Sequence, residues 1–450
     1  MTRPYDPVSY LEKNTGTAIW EDGREITFAE LLEHVRRMQR LLAAKGVKAG
    51  DVVGVRVPNV WQYVALEIAI PDMGAVILPL PMSLGEHELG WVDEKAKPVL
   101  VVEGELAGDE GSTPPSAKPD PDRVVEIALT SGTTGMPKLA SLTARLKQAT
   151  FEAFTGRLGI TPEDRVLPMT PLTQGIGGMC IYCLRKGASL VMLREPRWTP
   201  EHCLEVAQRS HATVLVGVPT NVIRMLNLRI DLPFVRAVAV AGAPLPPEIA
   251  ERWETTTGIA ISSFYGSMDA GQLAVASPDD PRVKRWTTVG RPHNRAEWQI
   301  VDGEICMRGE LVQDRYWGEE TGPYSTDGWA HMGDLGFVDD DGFLRVVGRV
   351  KDIIIRGGTN INPYEVESML RMHEGVRDAC VVGRPDPELG EVPVAFIVGD
   401  VDKDQIDRFL GERGLARYKW PVAIRTLDQL PLSGPGKVNR KMLRENARST

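Results

Sequence analysis

The run Leu129-Thr130-Ser131-Gly132-Thr133-Thr134-Gly135-Met136-Pro137-Lys138 is the most informative stretch of this 450-residue chain. It continues the apolar segment 124–129 and places three hydroxyl side chains and two glycines within five residues. A strand that ends at such a loop presents backbone N–H groups and hydroxyl donors to an anion, with a lysine close by. The spacing of Gly132 and Lys138 does not fit the P-loop consensus. We predict a phosphate-binding loop; the alternative is an ordinary Gly/Thr turn between strands.

Further motifs follow this loop in order along the chain. They are Phe264-Tyr265-Gly266-Ser267-Met268-Asp269, Thr326–Trp329 with Met332-Gly333-Asp334, Gly348–Asp352 with Gly357–Ile361, and Pro431-Leu432-Ser433 with Gly436–Arg440. In order and separation the set resembles the motifs of the adenylate-forming superfamily, which includes acyl-CoA synthetases, aryl-acid ligases, stand-alone adenylation enzymes and luciferases. The resemblance covers almost the whole chain, and ordered motifs are far more specific than any one of them alone.

Apolar periodicity predicts an α/β fold. Thr27-Phe28-Ala29-Glu30 is a capping-box pattern followed by one apolar helical face, and helices then alternate with β-branched runs up to about residue 270. This alternation indicates two parallel-type βα subdomains with helices on both faces of the sheets. From about Ala296 short strands with tight turns indicate a small β-rich subdomain. We expect a large N-terminal domain over 1–349 and a mobile, small α+β C-terminal domain over 350–450.

The composition limits the partners and the cellular location that we expect for this chain. The net charge of −9 and the lack of a basic stripe argue against nucleic acid. The N-terminus has no apolar signal region, and the longest apolar stretches are interrupted by charges or proline, so we expect no membrane span and a cytoplasmic location. The segment 108–121, rich in Gly, Ser, Pro and Asp, is predicted to be a flexible connection.

The cysteines point to a reducing compartment, because there are five of them in 450 residues. Cys180 and Cys183 form a C-x-x-C pair, but a structural zinc site normally needs a second pair at suitable spacing. Their neighbours are apolar at helical spacing. We predict two buried thiols rather than a redox or metal site.

The resemblance implies the nucleotide site. Its predicted phosphate-binding residues are Thr130, Ser131, Gly132, Thr133, Thr134, Gly135 and Lys138. The other residues expected to contact the nucleotide are Gly242, Ala243, Pro244, Phe264, Tyr265, Gly266, Ser267 and Met268. Asp334 would accept hydrogen bonds from the ribose hydroxyls and Arg349 would donate to the same sugar; the alternative for Asp334 is an ordinary turn residue.

Lys437 is the expected catalytic residue. In the family's first reaction a carboxylate attacks the α-phosphate of ATP and pyrophosphate leaves, and a mobile ammonium can bridge the attacking oxygen and the phosphate as charge develops. Because Arg440, Lys441 and Arg444 lie nearby, the alternative is a solvated basic tail.

Three positions depart from the family pattern near the expected acid pocket. Asp269 stands where a Mg²⁺-associated glutamate is usual, and we expect it to act as a catalytic residue and metal ligand, with contact through water because its side chain is shorter. Met268 replaces a threonine, and Gln174 stands where relatives often have histidine. Thr173, Gln174 and Gly175 are the expected pocket residues. They favour a short or polar acid, aromatic acids included, over a long-chain fatty acid.

A domain rotation is also implied. Lys351 occupies the family's hinge position, where a few backbone torsions turn the small domain between adenylation and thioester formation. Gly357 and Gly358 would form the thiol tunnel, since glycine lets a narrow arm approach the backbone; the alternative is a simple turn.

The expected function is ATP-dependent activation of a carboxylic acid and its transfer to coenzyme A, with ATP, Mg²⁺ and coenzyme A as cofactors. One alternative is the loading of a carrier protein's phosphopantetheine arm. Another is a degenerate nucleotide-binding homologue without thioester activity, which the changes at Gln174, Met268 and Asp269 support. An oxidoreductase is not supported, because no G-x-G-x-x-G follows a predicted strand.

Overall fold

The structure of the protein, a computed structural model, describes residues 6–130, 138–194, 198–268, 270–433 and 437–448. Only the backbone is described for Gln272, Leu432, Ser433 and Lys437. The chain divides into two compact units, Met1–Trp298 with Met307–Ala330 and Gln299–Cys306 with His331–Thr450. By contacts, residues 331–349 thus group with the C-terminal residues. The boundary at 349/350 stays a prediction about where the chain turns.

The first unit begins with an N-terminal helix, a β-hairpin and a parallel sheet. Its elements up to residue 157 are α1 (Ser9–Lys13), β1 (Thr17–Glu21), β2 (Arg24–Thr27), α2 (Phe28–Ala44), β3 (Val52–Arg56), α3 (Trp61–Asp72), β4 (Val76–Pro79), α4 (Glu86–Ala96), β5 (Leu100–Glu103), β6 (Val124–Thr130), β7 (Lys138–Thr143) and α5 (Ala144–Arg157). One sheet has the order β5-β3-β4-β6-β7 and is parallel except at the β6/β7 edge. The apolar strands β3 and β4 are almost wholly buried, as parallel strands covered on both faces should be.

A second sheet occupies the rest of this unit. The further elements are β8 (Arg165–Pro168), α6 (Gly175–Met179), β9 (Ser189–Met192), α7 (Pro200–Arg209), β10 (Val214–Gly217), α8 (Pro219–Met225), β11 (Ala237–Val240), α9 (Pro247–Thr257), β12 (Ala260–Gly266), β13 (Gln272–Val275), α10 (Arg282–Thr287) and β14 (Arg291–Pro292). The sheet order is β14-β13-β12-β11-β10-β8-β9-β1-β2, with β12, β11, β10, β8, β9 and β1 parallel to their neighbours in that run. The predicted α/β class is therefore confirmed.

The start of α2 shows how locally the sequence determines its elements. Thr27 Oγ1 accepts a hydrogen bond from the Glu30 backbone N–H at 3.2 Å, and Glu30 Oε2 accepts one from the Thr27 N–H at 2.8 Å. The predicted capping box is confirmed, because these two bonds satisfy backbone donors that a helix start leaves unpaired.

The segment 108–121 contains no helix or strand, as expected of a connection, and hydrogen bonds join parts of it to the helices beside it; its flexibility stays a prediction. Gly111 N donates to Arg40 O at 3.2 Å, and Glu110 Oε2 accepts from Arg40 Nε at 2.7 Å. Ala117 N donates to Asp72 O at 2.6 Å. These contacts join residues far apart in sequence, so the composition of the segment could not reveal them.

The second unit consists mainly of small sheets. Its elements, with the strands that lead into it, are β15 (Ala296–Val301), β16 (Glu304–Gly309), β17 (Ala330–Val338), β18 (Leu344–Arg349), β19 (Ile354–Arg356), β20 (Thr359–Ile361), α11 (Pro363–Arg371), β21 (Val376–Asp386), β22 (Gly390–Gly399), α12 (Lys403–Glu412), β23 (Ala423–Thr426), β24 (Leu432–Ser433), β25 (Lys437–Val438) and α13 (Arg440–Arg448). The order β15-β16-β17-β18 forms one sheet, and β20-β19-β22-β21 with β23 forms another. Strands β15–β18 are the predicted β-rich part, and the later elements form the predicted α+β part.

The cysteines are buried, as predicted for the C-x-x-C pair. Cys180 and Cys183 are 0% exposed, and burial raises the pKa of both thiols. None of the helices in the described ranges has the length and apolar character needed to cross a membrane.

Candidate active site

The predicted phosphate loop joins the two strands of a hairpin. Thr130 ends β6, Lys138 begins β7, and the two residues are paired in antiparallel register. A strand therefore ends at this loop, as predicted. Residues 131–137, which include Ser131, Gly132, Thr133, Thr134 and Gly135, lie outside the described residues. Phosphate binding by the loop stays a prediction.

Lys138 has an aromatic neighbour that sequence reasoning missed. Its Nζ lies 4.5 Å from the centroid of the Tyr316 ring and 3.5 Å from the Tyr316 hydroxyl oxygen. An ammonium over an aromatic face is attracted by the ring quadrupole. Tyr316 is 178 residues away in the sequence and belongs to none of the motifs, so no sequence signal pointed to it.

Two predicted nucleotide-contact segments lie at one edge of the larger sheet. Gly242, Ala243 and Pro244 follow the carboxyl end of β11, and Phe264–Gly266 form the end of the adjacent parallel strand β12. Gly242 has φ +81°, a conformation that favours glycine, and Ala243 and Pro244 are exposed. Ligands of open α/β sheets bind beyond the carboxyl ends of parallel strands. The two segments therefore lie together where such sheets bind ligands, and their contact with a nucleotide stays a prediction.

The next residues form a tight turn. The Ser267 N–H donates to Ala270 O at 3.3 Å and to Gly271 O at 3.2 Å, and the Ala270 N–H donates to Ser267 Oγ at 3.1 Å. Asp269, the predicted metal ligand, lies outside the described residues. Its role stays a prediction.

The predicted acid-pocket residues lie at the start of α6. Gln174 is the residue before the helix, and its side chain makes no capping bond. Gly177 must be glycine, since a Cβ there would lie 2.1 Å from Pro171 O. This close approach packs the helix against the chain that precedes it. The hydroxyl oxygen of Thr173 is buried and has no hydrogen-bond partner among the described residues, so it could serve a ligand.

Met268 and Gly175 are brought into contact. Met268 packs on a buried cluster of Ala128, Ala140, Leu142 and Leu146, and its Sδ would be 2.5 Å from a Cβ placed on Gly175. The thioether thus fills the space beside the first residue of α6. Met268 departs from the family pattern, and Gly175 is the neighbour of Gln174, which also departs from it. Although Met268 and Gly175 are far apart in sequence, they lie side by side in the fold.

In the second unit, Asp334 and Arg349 form an ion pair. Arg349 Nε donates to Asp334 Oδ1 at 2.7 Å, and Asp334 is only 7% exposed. Although burial alone would lower it, the pKa of Arg349 is raised by the carboxylate of Asp334. The carboxylate is therefore held in one orientation. The donor function expected of Arg349 toward the sugar is directed here at Asp334.

The predicted hinge residue lies in a short 3₁₀ helix, Val350–Asp352. Arg444 Nη2 donates to the carbonyl oxygen of Lys351 at 3.2 Å and to Asp352 Oδ1 at 2.6 Å. Arg444 is on α13, the helix that follows the predicted catalytic lysine. The backbone at the expected hinge is thereby bonded to the C-terminal helix.

The arginines after Lys437 do not form a solvated tail. Arg440 donates to Glu367 Oε1 at 2.7 Å and to Val381 O at 3.0 Å, and the side chain of Glu367 is 1% exposed. The carboxylate of Glu367 opposes the effect of burial and raises the pKa of Arg440. Arg440 and Arg444 therefore anchor α13, whereas Lys441, the third basic residue that suggested a solvated tail, is exposed.

Gly357 and Gly358 form a two-residue turn between β19 and β20. Arg356 and Thr359 are paired, and the glycines have φ +55° and +80°. Successive positive φ angles are those of the type I′ hairpin turn. The simple turn, which was the alternative, describes the local structure, and a thiol tunnel stays a prediction.

Lys437 is placed by its backbone alone. It begins β25 and pairs with Ser433 of β24, and residues 434–436 lie outside the described residues. Lys437 therefore lies on the second strand of a hairpin, three residues before α13 begins.

Comparison with known families agrees with this arrangement. The model of the AMP-binding enzyme family matches residues 11–112 and 102–317, and the model of the AMP-binding enzyme C-terminal domain matches residues 365–437. The two matches include the hairpin loop, the edge of the larger sheet and the hairpin that carries position 437.

Curated relatives and solved structures cover nearly the whole chain. The chain is 32% identical to the 3-[(3aS,4S,7aS)-7a-methyl-1,5-dioxo-octahydro-1H-inden-4-yl]propanoyl:CoA ligase of Mycobacterium tuberculosis, over 95% of each chain. It is 32% identical to the feruloyl-CoA synthase of an Amycolatopsis species, over 94% of each. The ATP-bound crystal structure of MatB from Rhodopseudomonas palustris superposes with a TM-score of 0.90 at 26% identity, covering 99% of both chains.

Proposed function

Because the chain belongs to the AMP-binding enzymes of the adenylate-forming superfamily, and is an AMP-forming acid–CoA ligase that uses ATP, Mg²⁺ and coenzyme A, we propose a substrate class for it. The proposed substrate is a short or polar carboxylic acid, aromatic acids included, rather than a long-chain fatty acid. The enzyme would form the acyl-adenylate with release of pyrophosphate and then pass the acyl group to the coenzyme A thiol.

The contact between Met268 and Gly175 carries this proposal. The thioether occupies the space beside the start of α6, where the expected acid pocket lies, so less length is available to an acyl chain. Thr173 Oγ1 and the Gln174 side chain add polar groups at the same place. A buried polar group favours ligands that hydrogen-bond to it and disfavours an alkyl chain that cannot. Feruloyl-CoA synthase, a relative, is named for an aromatic acid.

We assign the first half-reaction to residues of separate motifs along the chain. Asp334, oriented by Arg349, would accept hydrogen bonds from the ribose hydroxyls. Lys437 would place its ammonium between the attacking carboxylate oxygen and the α-phosphate, where negative charge develops in the transition state. The loop 131–137 would bind the β- and γ-phosphates through N–H and hydroxyl donors.

Magnesium would be held by oxygen donors, and the chain offers the Asp269 carboxylate and the Ser267 hydroxyl directly after β12. Ser267 Oγ already accepts a hydrogen bond from the Ala270 N–H, which fixes the position of this oxygen in the turn. Hard oxygen ligands suit this ion, and the ion neutralises part of the charge of the nucleotide phosphates. Asp269 is the residue we propose as its protein ligand.

The second half-reaction is assigned to the glycine turn and the hinge. Rotation of the backbone at Lys351 would bring the β19–β20 turn to the thiol, and the lack of side chains on Gly357 and Gly358 would let the narrow arm pass. We propose free coenzyme A as acceptor over a carrier protein, because the relatives reported above are named as CoA ligases or synthases.

We also propose a cytoplasmic location. All five cysteines lie in the described ranges, where they are buried and form no disulfide. Free thiols are typical of proteins from a reducing compartment.

Pyrophosphate exchange tests the proposal directly. Exchange is measured for a panel of short, aromatic and long-chain acids, and thioester formation is measured with coenzyme A or with a phosphopantetheinylated carrier protein. We expect exchange with short or aromatic acids and thioester with coenzyme A alone. A preference for long-chain acids would overturn the proposed substrate class. Thioester formation on the carrier protein would overturn the proposal that free coenzyme A is the acceptor. If no acid supports exchange, the degenerate nucleotide-binding homologue is favoured.

A further inference from the structure

A cluster of three chemically different side chains lies in the second unit, and none of the three has been given a role above. Glu304 and Cys306 are two residues apart on β16, and His331 is on β17. A carboxylate oxygen, the thiol sulfur and an imidazole nitrogen of these residues all lie within 4.8 Å of one another. His331 Nδ1 is 2.8 Å from Glu304 Oε2 and 3.6 Å from Cys306 Sγ.

The donor set fits zinc better than magnesium. Zinc is bound in proteins by thiolate, imidazole and carboxylate ligands in tetrahedral geometry, whereas magnesium prefers oxygen. At zinc bond lengths of about 2.0–2.3 Å, tetrahedral ligand atoms lie roughly 3.3–3.7 Å apart. The distance of 3.6 Å between the imidazole and the thiol already fits this range. The carboxylate would have to move away from the imidazole by only about 0.5 Å.

The residues around the cluster hold its side chains in place, as residues around a metal site do. Glu304 Oε1 accepts a hydrogen bond from the Gly333 N–H at 2.9 Å, which orients the carboxylate from behind. Such outer contacts fix the ligands of metal sites and tune their affinity. Cys306 is 0% exposed, while the side chains of Glu304 and His331 are 20% and 31% exposed. The cluster therefore has a buried sulfur at its base and an open side toward water.

We propose that Glu304, Cys306 and His331 bind one zinc ion, with water as the fourth ligand. On binding, the thiol of Cys306 loses its proton to solvent and the sulfur becomes a thiolate ligand. The ion is distinct from the magnesium that accompanies ATP, because its ligands include sulfur and nitrogen. It would link β16 to β17 three residues before Asp334, so it would stabilise the strand that carries the proposed ribose ligand.

Metal titration of the full chain, without an affinity tag and without nucleotide, tests the site. Zinc is titrated in competition with a chromophoric chelator, and cobalt(II) is used as a spectroscopic substitute. We expect one ion per chain, a thiolate-to-cobalt charge-transfer band and tetrahedral d–d absorption. Zinc should also raise the thermal midpoint of the wild type, since a ligand that binds only the folded state stabilises it.

Matched variants assign the ligands. His331→Ala and Cys306→Ser should each weaken zinc binding by more than about 100-fold, beyond the loss typical of an outer contact, and should abolish the midpoint shift. The exposed histidine variant His87→Ala and the buried cysteine variant Cys380→Ser should bind as the wild type does.

The proposal is overturned if the wild type binds no zinc, if the cobalt complex lacks the thiolate band, or if His331→Ala binds normally. Should Cys306→Ser fail to fold, the cobalt spectrum of the wild type and the partly exposed position 331 still decide the matter. Because no ATP, acid or coenzyme A is present, the result is independent of the proposed substrate.

Discussion

Asp334 and Arg349 face each other in the antiparallel register of β17 and β18, and the guanidinium Nε donates to the carboxylate at 2.7 Å. The two residues are fifteen apart in sequence and belong to two different motifs. Their pairing brings two motifs together: one supplies a carboxylate, and the other supplies the guanidinium that fixes its orientation.

Replacement of the acceptor should weaken nucleotide binding. Asp334→Ala is expected to cost about 1.5–3 kcal/mol in ATP binding, the scale for a lost hydrogen bond to a charged group. Asp340→Ala, at an exposed turn position on the same hairpin, should bind ATP as the wild type does. Titration calorimetry measures both, and unchanged affinity in a folded Asp334→Ala protein would refute the ribose role.

Local patterns in the sequence were sufficient for much of this architecture. The capping box of α2, the end of β6 at the hydroxyl-rich loop and the strand and helix order depend on neighbours in sequence, so periodicity and capping rules could find them. The contacts of Met268 with Gly175 and of Arg444 with Lys351 could not be found that way. They join residues about ninety apart, and only the folded topology makes them neighbours.

The lysine before α13 should act in one half-reaction. Lys437→Ala should slow adenylate formation by about 10²-fold or more, the scale for removal of one preorganised electrostatic contact. Thioester formation from supplied acyl-adenylate should be largely spared. Lys441→Ala, an exposed lysine on α13, is the matched control for charge. Equal losses in both half-reactions of Lys437→Ala would contradict the assignment.

The wall formed by Met268 should control the length of the acid. Met268→Ala removes the thioether beside Gly175 and should raise kcat/KM for longer acids by about tenfold, since each added methylene in a pocket contributes roughly 1–3 kcal/mol. Activity with short acids should change less. Steady-state kinetics over a homologous series of acids gives the comparison; a length profile identical to that of the wild type would remove Met268 from the pocket.

A buried charge cluster in the first unit should make stability depend on pH. Lys147 Nζ lies 2.6 Å from Glu67 Oε1 and 2.5 Å from Glu126 Oε2. Burial raises the pKa of Glu67 from 4.5 to about 7, although Lys147 opposes the shift. The folded state therefore binds this proton more tightly than the unfolded state. The contribution of this proton to the free energy of unfolding is fully present below pH 4.5 and is lost as the pH rises through about 7.

The wild type should thus lose on the order of 3 kcal/mol of unfolding free energy over this range relative to Glu67→Gln, which cannot ionise. Glu163→Gln, at an exposed position of the same unit, should follow the wild type. Denaturant unfolding at a series of pH values measures the difference, and parallel pH profiles for wild type and Glu67→Gln would show that Glu67 does not titrate in this window.

A change at the proposed hinge residue, Lys351, should affect the two half-reactions differently. Lys351→Pro fixes φ near −65° and removes an N–H, so a residue that must change its backbone torsions is locked. We expect one half-reaction to stay within about tenfold of wild type while the other is lost. Pyrophosphate exchange and thioester output are measured on the same preparation. Near-normal rates in both assays from a folded protein would mean that no rotation at Lys351 is required.

Arg444 bonds the carbonyl oxygen of Lys351 and the carboxylate of Asp352 to the same helix that begins three residues after Lys437. A rotation of the backbone at the proposed hinge would then be transmitted through α13 to the position of Lys437. With Lys351 as the proposed hinge, engagement of Lys437 and rotation of the hinge would become a single degree of freedom. Under the proposed mechanism, the rotation that brings the glycine turn to the thiol would also withdraw the lysine, so the two half-reactions would not compete for the same site.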